Sequence, residues 1–245
     1  MRADAVTYPP LDTLKPVAPD VWIVDSGPMR AMGLPLPIRM TVFRLSDGGL
    51  LLHSPTRFDP SLKAELDAIG PVTHMVAPNV AHWTFLSQWQ PHFPSATTWA
   101  APELRSRSQV KRSNVRLDRD LDPLALPDWS SQIELVVVPG IGGFTEVAFF
   151  HHASGTLVLT DLVQNFEPEK LPLFMRPPSH MLGLTPPNGR APIYLRLVVK
   201  AKGDSARSAA RRLVELKPQR VIFAHGTWFA ENGTARLRRS LDWLL

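Results

Sequence analysis

The chain is expected to fold as a single α/β domain of four layers, two β-sheets packed face to face with helices outside (αββα). Three observations lead there. Short apolar segments bounded by Gly and Pro recur through both halves, amphipathic helices fall between them, and no shift of composition marks a linker. The 245 residues, 44% of them apolar, suffice for one large core.

In the first half, APDVWIVDSG from residue 18, IRMTVFRL from residue 38 and GLLLHSP from residue 49 read as an antiparallel start of three short strands. Asp59 can cap a helix entered at Pro60; Leu62, Leu66 and Ile69 recur at helical spacing, and Gly70-Pro71 stops it before the strand VTHMVAPN. His82 is expected to open a short helix whose Trp83, Phe85 and Trp89 are largely buried, and TTWAAP gives the next strand.

In the second half, IELVVVPG, EVAFFHHA and TLVLTDL are three strands separated by the turns GIGGF and Ser154-Gly155. A helix capped by Asp204 leads to the buried strand RVIFAHG, and a last helix from Gly233 to Leu245 carries Leu237, Leu241 and Leu244 on one face. Residues 165–203 break the pattern: seven prolines and apolar side chains without a consistent period form neither one helix nor one strand. This insert is either a packed connection or a lid, and as a lid it would turn Phe174, Met175 and Met181 toward a ligand.

Composition narrows the chemistry. With no Cys there is no disulfide, thiolate metal site or thiol nucleophile, so any metal is held by His and carboxylate. No apolar run is long enough to span a bilayer and the first residues lack the pattern of a leader, so a cytoplasmic protein without membrane contact is expected. The net charge is +5, but neither Arg105, Arg107, Lys111, Arg112, Arg116 and Arg119 nor the helical set Arg207, Arg211 and Arg212 is interleaved with aromatics. A solvated surface is expected there and no nucleic-acid partner, with a small-molecule ligand left open.

The segment APNVAHWTFL, with LLHSPTRFDPSLKAEL before it and TLVLTDLVQNF after it, resembles a subgroup of the metallo-β-lactamase-like fold described as a domain of unknown function. The order of strands and helices resembles that fold over most of the chain, which implies the same αββα sandwich. Where the larger superfamily places His-x-His-x-Asp-His, this chain has Ala77, Pro78, Asn79, Val80, Ala81 and His82, a degenerate motif that keeps one ligand. Asp161 and His225, at the ends of apolar runs, match further ligands of the family, whereas Ile141 or Gly142 stands where another His is expected.

The resemblance therefore implies a reduced site of His82, Asp161 and His225. Two imidazoles and one carboxylate can hold one Zn, Fe or Mn ion. They can equally persist without an ion, as a hydrogen-bonded remnant. Asn79 is either a substrate hydrogen-bonder or a turn residue. His53 stands where the superfamily usually has a supporting Asp and can orient a ligand or substrate group, and Arg57 can reach an anion; both can also be packing or surface residues. His151 and His152 point to opposite faces of a strand, and His74, His92 and His180 are expected to be structural or exposed.

Other templates are absent: there is no G-x-S-x-G elbow, phosphate loop or dinucleotide fingerprint. The readings that remain are a mononuclear metal-dependent hydrolase, a non-catalytic binding or regulatory protein that has lost the metal, and a non-haem iron oxidoreductase with the same ligands.

Overall fold

The computed structural model of the chain describes residues 6–31, 34–122, 128–187 and 189–245; the first five residues of the opening segment and Asn188 of the insert lie outside them. The first sheet begins with β1 (Lys15–Ala18), β2 (Val21–Ala31), β3 (Leu34–Arg44) and β4 (Leu50–His53), paired antiparallel in chain order. It continues through β5 (Val72–Ala77), β6 (Thr97–Ala100) and β7 (Arg119–Asp120), each parallel to the strand before it. Between β4 and β5 lies α1 (Pro60–Ile69), where the Asp59 carboxylate accepts from the Ser61 and Leu62 N–H groups at 2.8 and 3.0 Å, the expected cap. The short helices α2 (Leu86–Trp89) and α3 (Ser108–Lys111) flank β6.

In the second sheet β8 (Ile133–Pro139), β9 (Thr145–His151) and β10 (Thr156–Val158) are antiparallel neighbours. The chain then forms β11 (Gln164–Asn165) and passes through α4 (Arg176–Met181), α5 (Ile193–Lys200) and α6 (Asp204–Glu215) to β12 (Arg220–Ile222), parallel to β10. Next comes β13 (His225–Gly226), which pairs with β11 in a ladder of its own, and finally α7 (Gly233–Ser240).

Period-two alternation sorts the side chains into four layers. Ile23, Phe43, Leu51 and Val76 of the first sheet meet Ile133, Val147, Phe149 and Ile222 of the second in a central core. Val24, Met40, Val42 and Leu52 face the other way, against Leu62 and Leu66 of α1 and Trp89 of α2. The outer face of the second sheet packs Val136, Ala148 and Leu157 on Leu195 of α5, Ala210 and Leu213 of α6, and Leu237 of α7. The fold is the αββα sandwich expected from the sequence.

Several local expectations are corrected. The β2–β3 hairpin is longer than the two short strands expected; it holds Pro35 and Pro37 because β3 pairs with β4 only from Thr41 to Arg44, leaving its earlier residues with one free edge, and Pro28 falls where the β2 register slips between Ser26 and Met29. His82 does not open a helix: residues 82–85 form turns and α2 begins at Leu86. Trp89 is fully buried, but Trp83 and Phe85 are half-buried. Gly203, not Asp204, occupies the cap of α6, and α7 ends at Ser240. Among the described residues no helix is long and apolar enough to cross a membrane.

Candidate metal centre

Asn79 builds the first corner of the site. Its Oδ1 accepts from the N–H groups of Ala81 and His82 at 2.8 and 2.9 Å, which turns the chain after β5 and delivers His82 inward. Asp161 lies just beyond β10 on a loop fixed by the fully buried Glu146, whose carboxylate accepts from the N–H groups of Thr160, Asp161 and Leu162 at 2.8, 2.8 and 3.1 Å. His225 opens β13, and the next position requires glycine, because Gly226 has φ 93° and a Cβ there would collide with the Asn165 carbonyl of β11. The buried Arg39 ties this loop to β3, donating to the carbonyls of Phe223 and Gly226 at 2.8 and 2.9 Å while pairing with Asp25 at 2.6 Å.

These devices bring the three expected ligands together. His82 Nε2 stands 3.4 Å from Asp161 Oδ2, and His225 Nε2 stands 3.3 Å from Asp161 Oδ1. One donor atom from each residue can be chosen so that all three lie within 4.8 Å of one another, and among the described residues this is the group of His and carboxylate that could hold an ion. His225 Nδ1 lies 2.7 Å from the Pro37 carbonyl, which can only accept, so Nδ1 carries a proton and the ring is oriented with Nε2 toward the carboxylate. His82 Nδ1 lies 2.6 Å from Ser54 Oγ, a partner able to donate or accept. Ser54 reaches it from the end of β4 with φ 57°, an uncommon conformation for a residue other than glycine.

The donor set fits a metal ion. Each imidazole faces its own oxygen of the Asp161 carboxylate, and one donor atom from each of the three residues falls within 4.8 Å of the others, close enough for them to share one ion. Both imidazoles have a polar partner on the ring nitrogen turned away from the carboxylate, the arrangement that orients metal-binding His. Asn79 Nδ2 donates to Asp161 Oδ2 at 2.7 Å and supports the carboxylate in turn.

Burial by itself would raise the Asp161 carboxyl, but His82 and His225 hold it well below the ordinary carboxylate range. Burial opposes a proton on His82, yet the charge and hydrogen bond of Asp161, with Glu146 behind it, leave the imidazole above its usual value. Glu146 is pushed up by burial and then by the charge of Asp161, against its backbone hydrogen bonds.

The trio opens into a cavity of about 490 Å³. Met29, Leu36 and Ile38 of the hairpin wall one part; Phe166, Leu171, Met175, Leu182 and Leu184 of the insert wall another. The insert thus packs over the centre and includes Asn165 of β11 and the whole of α4 and α5. Of its three residues expected to meet a ligand only Met175 lines the cavity; Phe174 and Met181 are 72% and 86% exposed.

Neither Asn79 nor His53 is among the residues lining the cavity. Asn79 is fully buried, and its amide is bonded to Ala81, His82, Asp161 and Thr160. His53 is buried in the central core with its ring edge-on to Phe149 at 4.8 Å, and is not among the residues lining the cavity. Arg57 is exposed, its guanidinium 6.0 Å from the Phe85 ring centre. His151 is buried against Ser154 while His152 is exposed, as alternation required. His74 accepts from Trp99, and His92 and His180 are exposed.

Ser54, Glu146 and Arg39 are the site residues that sequence reasoning missed. The latter two had a signal: a lone charge within an apolar strand, EVAFF or IRMTVF, must find a partner when it is buried.

The class follows from fold and comparison together. The metallo-beta-lactamase from Pontibacter korlensis superimposes with a TM-score of 0.61 at 17% identity, over 94% of this chain and 97% of its own. The DIM-1 metallo-beta-lactamase gives 0.65 at 13%, over 94% and 95%, and FIM-1 from Pseudomonas aeruginosa, solved in a mono-zinc form, gives 0.61 at 14%, over 95% and 94%. This is a metallo-β-lactamase-like fold. No curated protein sequence matches the chain. The family model "Domain of unknown function (DUF4336)" matches residues 20–184, and the chain belongs to that family.

Proposed function

We propose that the protein is a hydrolase using a single metal ion at His82, Asp161 and His225, with an ester, lactone or amide as substrate. The observation that carries this reading is the convergence of His82 Nε2 and His225 Nε2 on the Asp161 carboxylate, at 3.4 and 3.3 Å, with the other nitrogen of each ring held by Ser54 or Pro37. Two imidazoles oriented in this way around one carboxylate form a donor set for an ion. Such an ion supplies a Lewis acid that polarises a carbonyl and lowers the pKa of water. FIM-1 in its mono-zinc form supports zinc by analogy of fold, while the donor set also admits Fe or Mn, and iron would move the chemistry to oxidation.

The chain's own residues hold this arrangement. Pro37 and Ser54 fix the imidazoles, Asn79 orients Asp161, and apolar residues of the insert wall the cavity beside them. A metal-free binding protein is the second reading, supported by the direct hydrogen bond from Asn79 to Asp161, which gives the carboxylate a partner without an ion.

Elemental analysis and melting temperature, measured together on wild type and Asp161→Ala, decide between them. About one equivalent of transition metal in wild type, lost in a still-folded Asp161→Ala, is the expected result. No metal after loading, with Asp161→Ala destabilised by about 1–3 kcal/mol, would overturn it.

A further inference from the structure

The cavity next to the centre also specifies a class of substrate. Resting on the hydrolase reading above, we propose that the substrate is uncharged and carries one linear apolar acyl chain, its carbonyl at His82, Asp161 and His225 and its chain laid between the hairpin and the insert.

About 490 Å³ of space lies beside the three ligands, enough for a small organic molecule. Its walls are mainly aliphatic and aromatic, with Met29, Leu36 and Ile38 on the hairpin and Phe166, Leu171 and Met175 on the insert, and Ser54, Thr56, Gln164 and Ser179 are polar exceptions. Among the described residues that line it there is no Lys or Arg; the only carboxylate is Asp161 itself. A substrate carboxylate or phosphate that entered the part of the cavity away from the imidazoles would meet no Lys or Arg on the wall, at a desolvation penalty. An alkyl chain avoids that penalty.

The approach is apolar as well. Ile193 and Tyr194 line the cavity yet are 52% and 56% exposed, which places them at its mouth. Leu173 and Phe174, between the lining residues Pro172 and Met175, are 75% and 72% exposed. Side chains of this kind left in water beside a cavity suit a ligand with an apolar tail.

Binding of unreactive probes tests this without any turnover. Calorimetric titration of metal-free protein in EDTA with a homologous series of 1-alkanols should show affinity rising about three- to fourfold per added methylene until the cavity is filled, with alkanoates of equal length binding at least several-fold more weakly. Leu36→Trp, filling from the hairpin, and Met175→Trp, filling from the insert, should each abolish the length dependence; either suffices if the other fails to fold. Met181→Asp, outside the cavity, should leave it unchanged. An affinity independent of chain length, or alkanoates binding more tightly than alkanols, overturns the proposal. Because EDTA removes any metal, that failure is separate from failure of the hydrolase reading, which the metal content decides.

Discussion

Asn79 and Glu146 meet in an antiparallel bridge between the two sheets, and both direct their side chains at Asp161. Asn79 donates to the Asp161 carboxylate while Glu146 accepts from its backbone N–H, so one ligand is held by both ends. Asn79→Ala removes the first of these and leaves the Ala81 and His82 N–H groups without their acceptor. Unfolding free energy should fall by about 1–3 kcal/mol in urea titrations, and metal affinity by about 10–100-fold in a competition titration with a chelator.

Glu146→Gln keeps the shape and removes half of the acceptor. One oxygen of the carboxylate serves Thr160 and the other serves Asp161 and Leu162, so an amide must turn an NH2 toward at least one N–H. A loss of about 1–3 kcal/mol is expected in thermal or urea melts.

Arg39 is the buried strut beneath His225. Arg39→Met frees the carbonyls of Phe223 and Gly226 and leaves Asp25 with only Lys15 as a cationic partner, so stability should drop by about 3–5 kcal/mol. The Asp25→Leu/Arg39→Met double variant, measured in the same urea titration, should recover part of that loss.

Trp89 is fully buried between Phe58 and Phe93, and its indole N–H donates to the Thr56 carbonyl at 2.7 Å. Truncation to Ala should lower stability by about 3 kcal/mol or more. The same change at half-buried Trp83 should have a smaller effect, and denaturant midpoints of the two variants rank them.

His53 gives the protein an acid-sensitive core. Burial, with His82 nearby, lowers its imidazole from the ordinary 6.5 to about 3. Between those values the unfolded chain binds the proton more readily, so this contribution is complete above pH about 6.5 and is lost as pH falls toward about 3, at up to about 1.4 kcal/mol per pH unit. Urea titrations in EDTA from pH 7 to pH 4.5 should show a shallower slope for His53→Leu than for wild type; parallel slopes would contradict the assignment.

Much of this arrangement is written locally. The Asp59 cap and the Gly70-Pro71 stop define α1 from a few residues, and apolar runs ending at Asp161 and before His225 mark chain positions that β-sheets bring to one edge. What resists reading is non-local. Prolines conceal the full length of β2 and β3, because only the sheet reveals which edge is free. Asn79 has one amide and two plausible roles until Thr160 and Asp161 are placed beside it. The insert has no single period because Leu195 and Val199 serve the core while Ile193 borders the cavity.

The hydrogen bond from His225 to Pro37 links residues 188 positions apart, and Asp161 stands between His225 and a His82 anchored on the first sheet. An ion at this junction would act as a clasp across the whole sandwich, with no short peptide able to bind it equally well. Occupancy and folding are then one equilibrium: at a hundredfold excess over the dissociation constant, ligation adds about 2.7 kcal/mol to global stability. Chelation should therefore accelerate proteolysis at sites far from the centre, in both sheets at once.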